Sequence, residues 1–131
     1  MSEAIYLDTN VYLDYFMARR GSDIAYRILK RSLDCEFSLV ISDWVLSELG
    51  RYAGSAETKM WFAALKGRNK IITVSHSEED VEAAKKISNH YHDPLHAILA
   101  KKAGAKKLVT RNMQDYLKCT HLVNPVFPEN I

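Results

Sequence analysis

Apolar residues fall in short runs separated by longer amphipathic stretches. Ala4-Ile5-Tyr6-Leu7, Phe37-Ser38-Leu39-Val40-Ile41 and Lys70-Ile71-Ile72-Thr73-Val74 are rich in β-branched and aromatic residues. They are short, which predicts buried strands over 4–8, 37–41 and 70–74. Lys107-Leu108-Val109-Thr110 predicts a fourth strand over 107–110, and 121–124 a weaker fifth. The stretches between have helical patterning: 11–18, 23–34 with the stripe Ile24, Ile28 and Leu29, a segment from a Ser42 or Asp43 cap to about Tyr52, and 56–66. Ser77-Glu78-Glu79-Asp80 resembles a capping box and opens a helix to about Asn89. Asp93 at an N-cap with Pro94 behind it opens another that ends at Gly104, and a short helix covers 113–118. Strands alternating with helices predict an α/β fold, a three-layer α/β/α sandwich around a mostly parallel sheet. Ligands in such folds collect at the carboxyl ends of the strands.

The chain length of 131 residues suits one domain over 1–131, and 47% hydrophobic residues suffice for its core. Cys35 and Cys119 lie far apart and form no CxxC, as expected of reduced thiols in an intracellular protein. No apolar stretch is long enough for a membrane span, and Met1-Ser2-Glu3 does not open a signal peptide, so the expected setting is the cytoplasm. Lys and Arg number 18 against 16 Asp and Glu, a net charge of +2. That balance neither demands nor excludes a nucleic-acid partner, so the placement of individual charges carries the functional reading.

The first such placement is Asp8-Thr9-Asn10, three small polar residues behind a buried strand. One helix cap needs one of them; Asp8 is therefore a cap or a site residue with equal weight. In SDWVLSELGRY the stripe from Val45 runs through Glu48, Leu49 and Tyr52, so Glu48 interrupts an apolar face where a carboxylate is costly unless partnered. A carboxylate at the edge of the stripe, reaching solvent, is the plainer reading. Asp93 in HYHDPLHAILA reads first as a cap, and a cap carboxylate can also face a cleft. His90, His92 and His96 invite a zinc site, but no cysteine joins them; His96 reads as a packed or hydrogen-bonding neighbour and the other two as exposed. In LVTRNMQDY, Thr110 ends a strand, while Asn112 and Asp115 have a capping reading of their own. Each signal is weak singly, but together they place acids at one sheet edge. Carboxylates gathered without nearby Lys resist joint ionisation unless a cation joins them, and an oxygen-only set selects magnesium or manganese over zinc.

The order strand-LDTNV, helix-SELGR, helix-DPLHAILA, then LVTRNMQDY resembles the PIN-domain nucleases, in particular the VapC-like toxins of toxin–antitoxin pairs, from Ile5 to about Val123. The resemblance implies a PIN-like fold and an Mg2+- or Mn2+-dependent ribonuclease. It carries the acidic ligand positions onto Asp8, Glu48 and Asp93, and ligand-orienting roles onto Asn10 and Thr110. Asn112 stands where many relatives carry a fourth acid; Asp115 is the candidate to replace it, with Asn112 orienting ligands. An antitoxin partner and a homodimer are also implied.

Hydrolysing a phosphodiester requires an attacking water and stabilisation of added negative charge, and a carboxylate-held cation serves both. Arg111, directly after a strand end, is the first candidate for gripping RNA, with Arg19, Arg20 and Arg51 on helix ends behind it. Lys101, Lys102, Lys106 and Lys107 precede the fourth strand and belong at the far end of the sheet. Tyr12, Tyr15 and Phe16 read as core or as a face for a second copy or a partner helix. A phosphoaspartate receiver fits poorly, because the acid is on the first strand and no Lys follows the late one. A haloacid-dehalogenase-type phosphatase fits poorly because Asn10 stands where its second Asp is needed. Two rivals remain: a catalytically weak PIN-like RNA-binding module, and a non-toxin PIN nuclease of RNA processing.

Overall fold

The computed structural model describes residues 3–34, 36–52 and 56–131. Five strands, β1 (Glu3–Leu7), β2 (Phe37–Ser42), β3 (Ile71–Val74), β4 (Lys107–Val109) and β5 (Asn124–Val126), form one sheet in the order β3-β2-β1-β4-β5. Every pairing is parallel. β1 is central, with Tyr6 beside Val40 on one flank and Leu108 on the other. β2 is buried at every position, as a strand covered on both faces must be.

The helices are α1 (Thr9–Phe16), α2 (Ser22–Leu33), α3 (Asp43–Tyr52), α4 (Ala56–Gly67), α5 (Glu78–Ile87) and α6 (His92–Lys102). Short 3₁₀ helices cover Met113–Cys119 and Pro128–Asn130. α1 packs on α2 and α3, and α2 on α4; α5 packs on α6, and α6 on the first 3₁₀ helix. The result is an α/β/α sandwich whose core runs through Ile5, Leu7, Leu39, Leu49, Leu95 and Leu99, all buried.

The elements match the hydrophobic pattern, with instructive shifts. Ser42 is the cap of α3: its Oγ accepts the Val45 N–H at 3.0 Å, while Asp43 turns to His76. The Ser77 box is present with Asp80 as its partner, although α5 ends at Ile87. The helix expected to be capped by Asp93 starts two residues earlier, at His92 behind an N-cap at Tyr91. Asp93 and Pro94 therefore occupy its first turn, where a missing N–H costs nothing, and the Asp93 carboxylate is released from capping. The weak fifth strand lies at 124–126 instead of 121–124, because Leu122 and Val123 close the preceding turn. Pro125 is tolerated in it because β5 is an edge strand. Of Tyr12, Tyr15 and Phe16, read as core or as an interface face, Tyr12 is core: it is fully buried against Phe62.

Gly21, just before α2, has φ +95°, and a Cβ there would stand 3.4 Å from Asp14 Oδ2. Cys119 is a free, buried thiol, and Cys35 lies outside the described residues. Among the described residues no helix is long and apolar enough to cross a membrane.

Candidate metal centre

β1, β2 and β4 all deliver their carboxyl ends to one edge. The Asp8 N–H continues the ladder onto Val109 O at 2.9 Å, which holds Asp8 and Thr110 side by side. Asp8 sits at the N-cap position of α1, yet its side chain makes no cap hydrogen bond. Instead its Oδ2 accepts the Thr110 hydroxyl at 2.9 Å, and the Asn112 N–H donates in turn to that hydroxyl oxygen at 3.0 Å. Asp8 is 4% exposed. Burial raises its pKa, an effect partly opposed by His96 and the Thr110 hydrogen bond and reinforced by Glu48.

Glu48 comes off α3 toward the same place, and its break in the apolar stripe has a structural reason. Its Oε1 accepts two hydrogen bonds, from Thr9 Oγ1 at 2.9 Å and from His96 Nε2 at 2.7 Å. Burial pushes this carboxyl up, but the hydrogen bonds it accepts, that from His96 foremost, oppose it, and the pKa falls below the ordinary value. Glu48 is thus held as an anion, with Oε2 left over among the described partners.

Asp93 approaches from the start of α6, half-buried. Burial and the charges of Asp8, Asp115 and Glu48 push its pKa up to about 6, against a smaller opposing pull from His96. The only described side chain bonded to it is Tyr116, whose hydroxyl donates to Oδ1 at a long 3.4 Å. Tyr116 is fully buried, and burial with the charges of Asp8 and Asp93 raises its pKa. The sequence reading passed over Tyr116; its only signal was a large aromatic one place after Asp115.

Asp8, Thr9, Asn10, Arg19, Glu48, Asp93 and His96 line one cavity of about 390 Å³, with Leu13. Asp115 is not among them. It lies across Asp93, in a second depression with His90, Gln114 and Lys118, and reaches the first only through its charge on Asp93. Asn112 is exposed and contributes its backbone N–H.

Whether a divalent ion fits turns on this donor set. Among the described residues no three His, Cys, Asp or Glu side chains are poised to hold an ion directly. Magnesium, however, keeps several waters and takes only one or two carboxylates. An acid-lined, water-accessible cavity in which the carboxylates raise one another's pKa fits a hydrated ion of this kind. It does not fit zinc, since His96 spends both ring nitrogens on Glu48 and Tyr6.

The predicted cations separate. Arg19 lines the cavity. Arg111 does not: its Nε and one terminal nitrogen grip Asp14 at 2.6 and 2.7 Å. Asp14 is 1% exposed, and burial raises its pKa against the opposing pull of Arg111 and Arg19. Asp14 was not anticipated, because nothing in LDYF distinguishes it from a solvated helix residue. Arg20 and Arg51 are exposed. Lys107 pairs with Glu3 at the opposite end of the sheet, and Lys102 with Asp80. His92 is exposed and stacks between Tyr91 and Trp44, with centroids 5.0 and 5.3 Å away.

Comparison with known proteins identifies a family and structurally similar chains. The PIN domain family profile matches residues 5–114. The crystal structure of VapBC2 from Rickettsia felis bound to a DNA fragment from their promoter contains a chain with the same fold: TM-score 0.60 at 18% identity, covering 95% of this chain and 98% of that one. No curated protein matches.

Proposed function

Because the chain belongs to the PIN domain family, we propose that it is a divalent-metal-dependent endoribonuclease that hydrolyses RNA phosphodiester bonds. We propose further that it acts in the cytoplasm as the toxin of a VapBC-type toxin–antitoxin pair. The observation that carries the reading is the cavity at the carboxyl edge of the sheet, where Asp8, Glu48 and Asp93 converge and the Asp93 pKa rises to about 6. A site that resists its own negative charge is prepared for a cation.

Asp8, Glu48 through Oε2, and Asp93 would hold Mg2+ or Mn2+, each directly or through water. When bound, the ion supplies a lowered water pKa and positive charge for a phosphate oxygen. The chain's own residues do the rest. Thr110 fixes the Asp8 carboxylate, and Thr9 with His96 fixes Glu48, so that neither reorganises when charge develops. Asn10 is placed to orient a ligand or water in the cavity, and Arg19 to meet a substrate phosphate. Asp115 acts on Asp93 by charge and can position water from the neighbouring depression. Arg111, fixed by Asp14, gives the rim a stationary cation, with Arg20 and Arg51 as outer contacts for the RNA backbone. The aromatic cluster of Tyr15, Phe16, Tyr26 and Trp61 supports a protein-binding face for an antitoxin or a second copy.

Purified protein incubated with structured RNAs should cleave them with Mn2+ and not with chelator, and Asp8→Asn should remain folded and inactive. Cleavage by Asp8→Asn at the wild-type rate would refute the assignment. The absence of three pre-set ligands favours one alternative, a weakly catalytic RNA-binding module. RNA binding without Mn2+ binding in calorimetry would select it.

A further inference from the structure

His96 is 1% exposed and stands between two partners, with Nε2 2.7 Å from Glu48 Oε1 and Nδ1 2.5 Å from the Tyr6 hydroxyl. The Tyr6 oxygen is in turn 2.7 Å from Ser42 Oγ, which accepts the Val45 N–H at 3.0 Å. These groups come from α3, α6, β1 and β2, and Tyr6 also meets the His96 ring edge-on at 5.5 Å.

The hydrogen positions follow from counting donors and acceptors. An ionised carboxylate only accepts, so Nε2 carries the hydrogen. Ser42 Oγ accepts the Val45 N–H, and the Tyr6 oxygen is the described acceptor for the Ser42 hydroxyl hydrogen, so the Tyr6 hydrogen goes on to Nδ1. The Tyr6 oxygen is free to accept the Ser42 hydroxyl, and every hydrogen from Ser42 to Glu48 has an acceptor. The reverse direction, with Nδ1–H donating to Tyr6 and Tyr6 to Ser42, leaves the Ser42 hydroxyl hydrogen without an acceptor among the described partners.

We infer that Ser42, Tyr6 and His96 form a directional chain whose task is to hold an N–H on Glu48 Oε1, making Tyr6 and His96 positioning residues for that carboxylate. The chain occupies one Glu48 oxygen with His96 and Thr9 and reserves the other for the cation. This consequence rests on the metal reading above. Tyr6 does not itself line the cavity, and its described link to Glu48 runs through the imidazole.

Nitrogen NMR on the metal-free protein, with His96 assigned by its loss in His96→Gln, reads the direction itself. The expected signal is a hydrogen on Nε2 and none on Nδ1; a hydrogen on Nδ1 overturns the chain. Calorimetry with Mn2+ reads the consequence. Tyr6→Phe and His96→Leu should bind about tenfold or more weakly, while His96→Gln, whose amide can still donate to Glu48, should lie closer to wild type. Thermal melts select the folded variants for comparison. Equal Mn2+ affinity in wild type, Tyr6→Phe and His96→Leu would overturn the positioning role. Failure of the wild type to bind Mn2+ would instead remove the metal reading, and the nitrogen signal would still decide the chain's direction.

Discussion

Replacing Asp93 by Asn should make the metal-free protein more stable while abolishing its activity. The Asp93 pKa rises from 3.8 to about 6, a difference of about 2.2 pH units, which at full value corresponds to about 3 kcal/mol. Asp93 is only half-buried, so solvent screening reduces this to about 1.5 kcal/mol. It also lies in the first turn of α6, where an anion gains about 0.5 kcal/mol from the helix dipole that Asn forgoes. The net expectation is a gain of about 1 kcal/mol at pH 7.5, or about 3 °C in Tm for a chain of this size. The pH window follows from the sign of the shift. A carboxyl with a raised native pKa contributes its stability fully below the unfolded value of 3.8, and that contribution is lost as pH rises through about 6. The advantage of Asp93→Asn should therefore be present at pH 7.5 and vanish near pH 4. Mn2+ should reverse the ranking, because ligand binding stabilises only the protein that binds it, by about 2.7 kcal/mol at a hundredfold excess over Kd. Urea melts at both pH values, with chelator and with Mn2+, make the comparison. Asp93→Asn less stable than wild type in chelator at pH 7.5 would refute the electrostatic reasoning.

Arg111→Met should cost about 2 kcal/mol in denaturant melts, because it strands the buried Asp14 carboxylate, and Arg111→Lys should restore little since a single ammonium cannot replace the two-point grip. Gly21→Ala should destabilise by about 1 kcal/mol or more in the same melts, because φ of +95° disfavours any side chain. Lys106→Ala should leave RNA cleavage at the wild-type rate, as expected of a residue just before β4, at the end of the sheet opposite the acids; a substantial loss would mean that substrate reaches around the sheet.

The strands were legible because β2 and the buried part of β1 hold only aliphatic, aromatic and small residues where both faces are covered. β5 was displaced because a three-residue edge strand containing a proline carries little pattern of its own. The acids were legible as anomalies: Glu48 broke an apolar stripe, and Asp8 ended a strand in a triplet too polar for one cap. Their partners were not. Thr9 and His96 reach Glu48 across 39 and 48 residues, and Tyr6 reads in the sequence as an ordinary strand residue. Asp14 and Arg111 are separated by 97 residues, so Arg111 was placed at the correct edge without the anchor that turns it from the cavity. Asp-Pro is a frequent helix start, so the sequence offers Asp93 as a cap as well as a cleft residue, and only the backbone shows Tyr91 in the cap position.

The central claim is that one ion sits among Asp8, Glu48 and Asp93. Anomalous diffraction from crystals soaked in Mn2+ tests it directly. The account predicts a peak inside the cavity, bound by oxygens of these acids or by waters they hold, and absent from Asp8→Asn. No peak there, or one held elsewhere by other side chains, would contradict it.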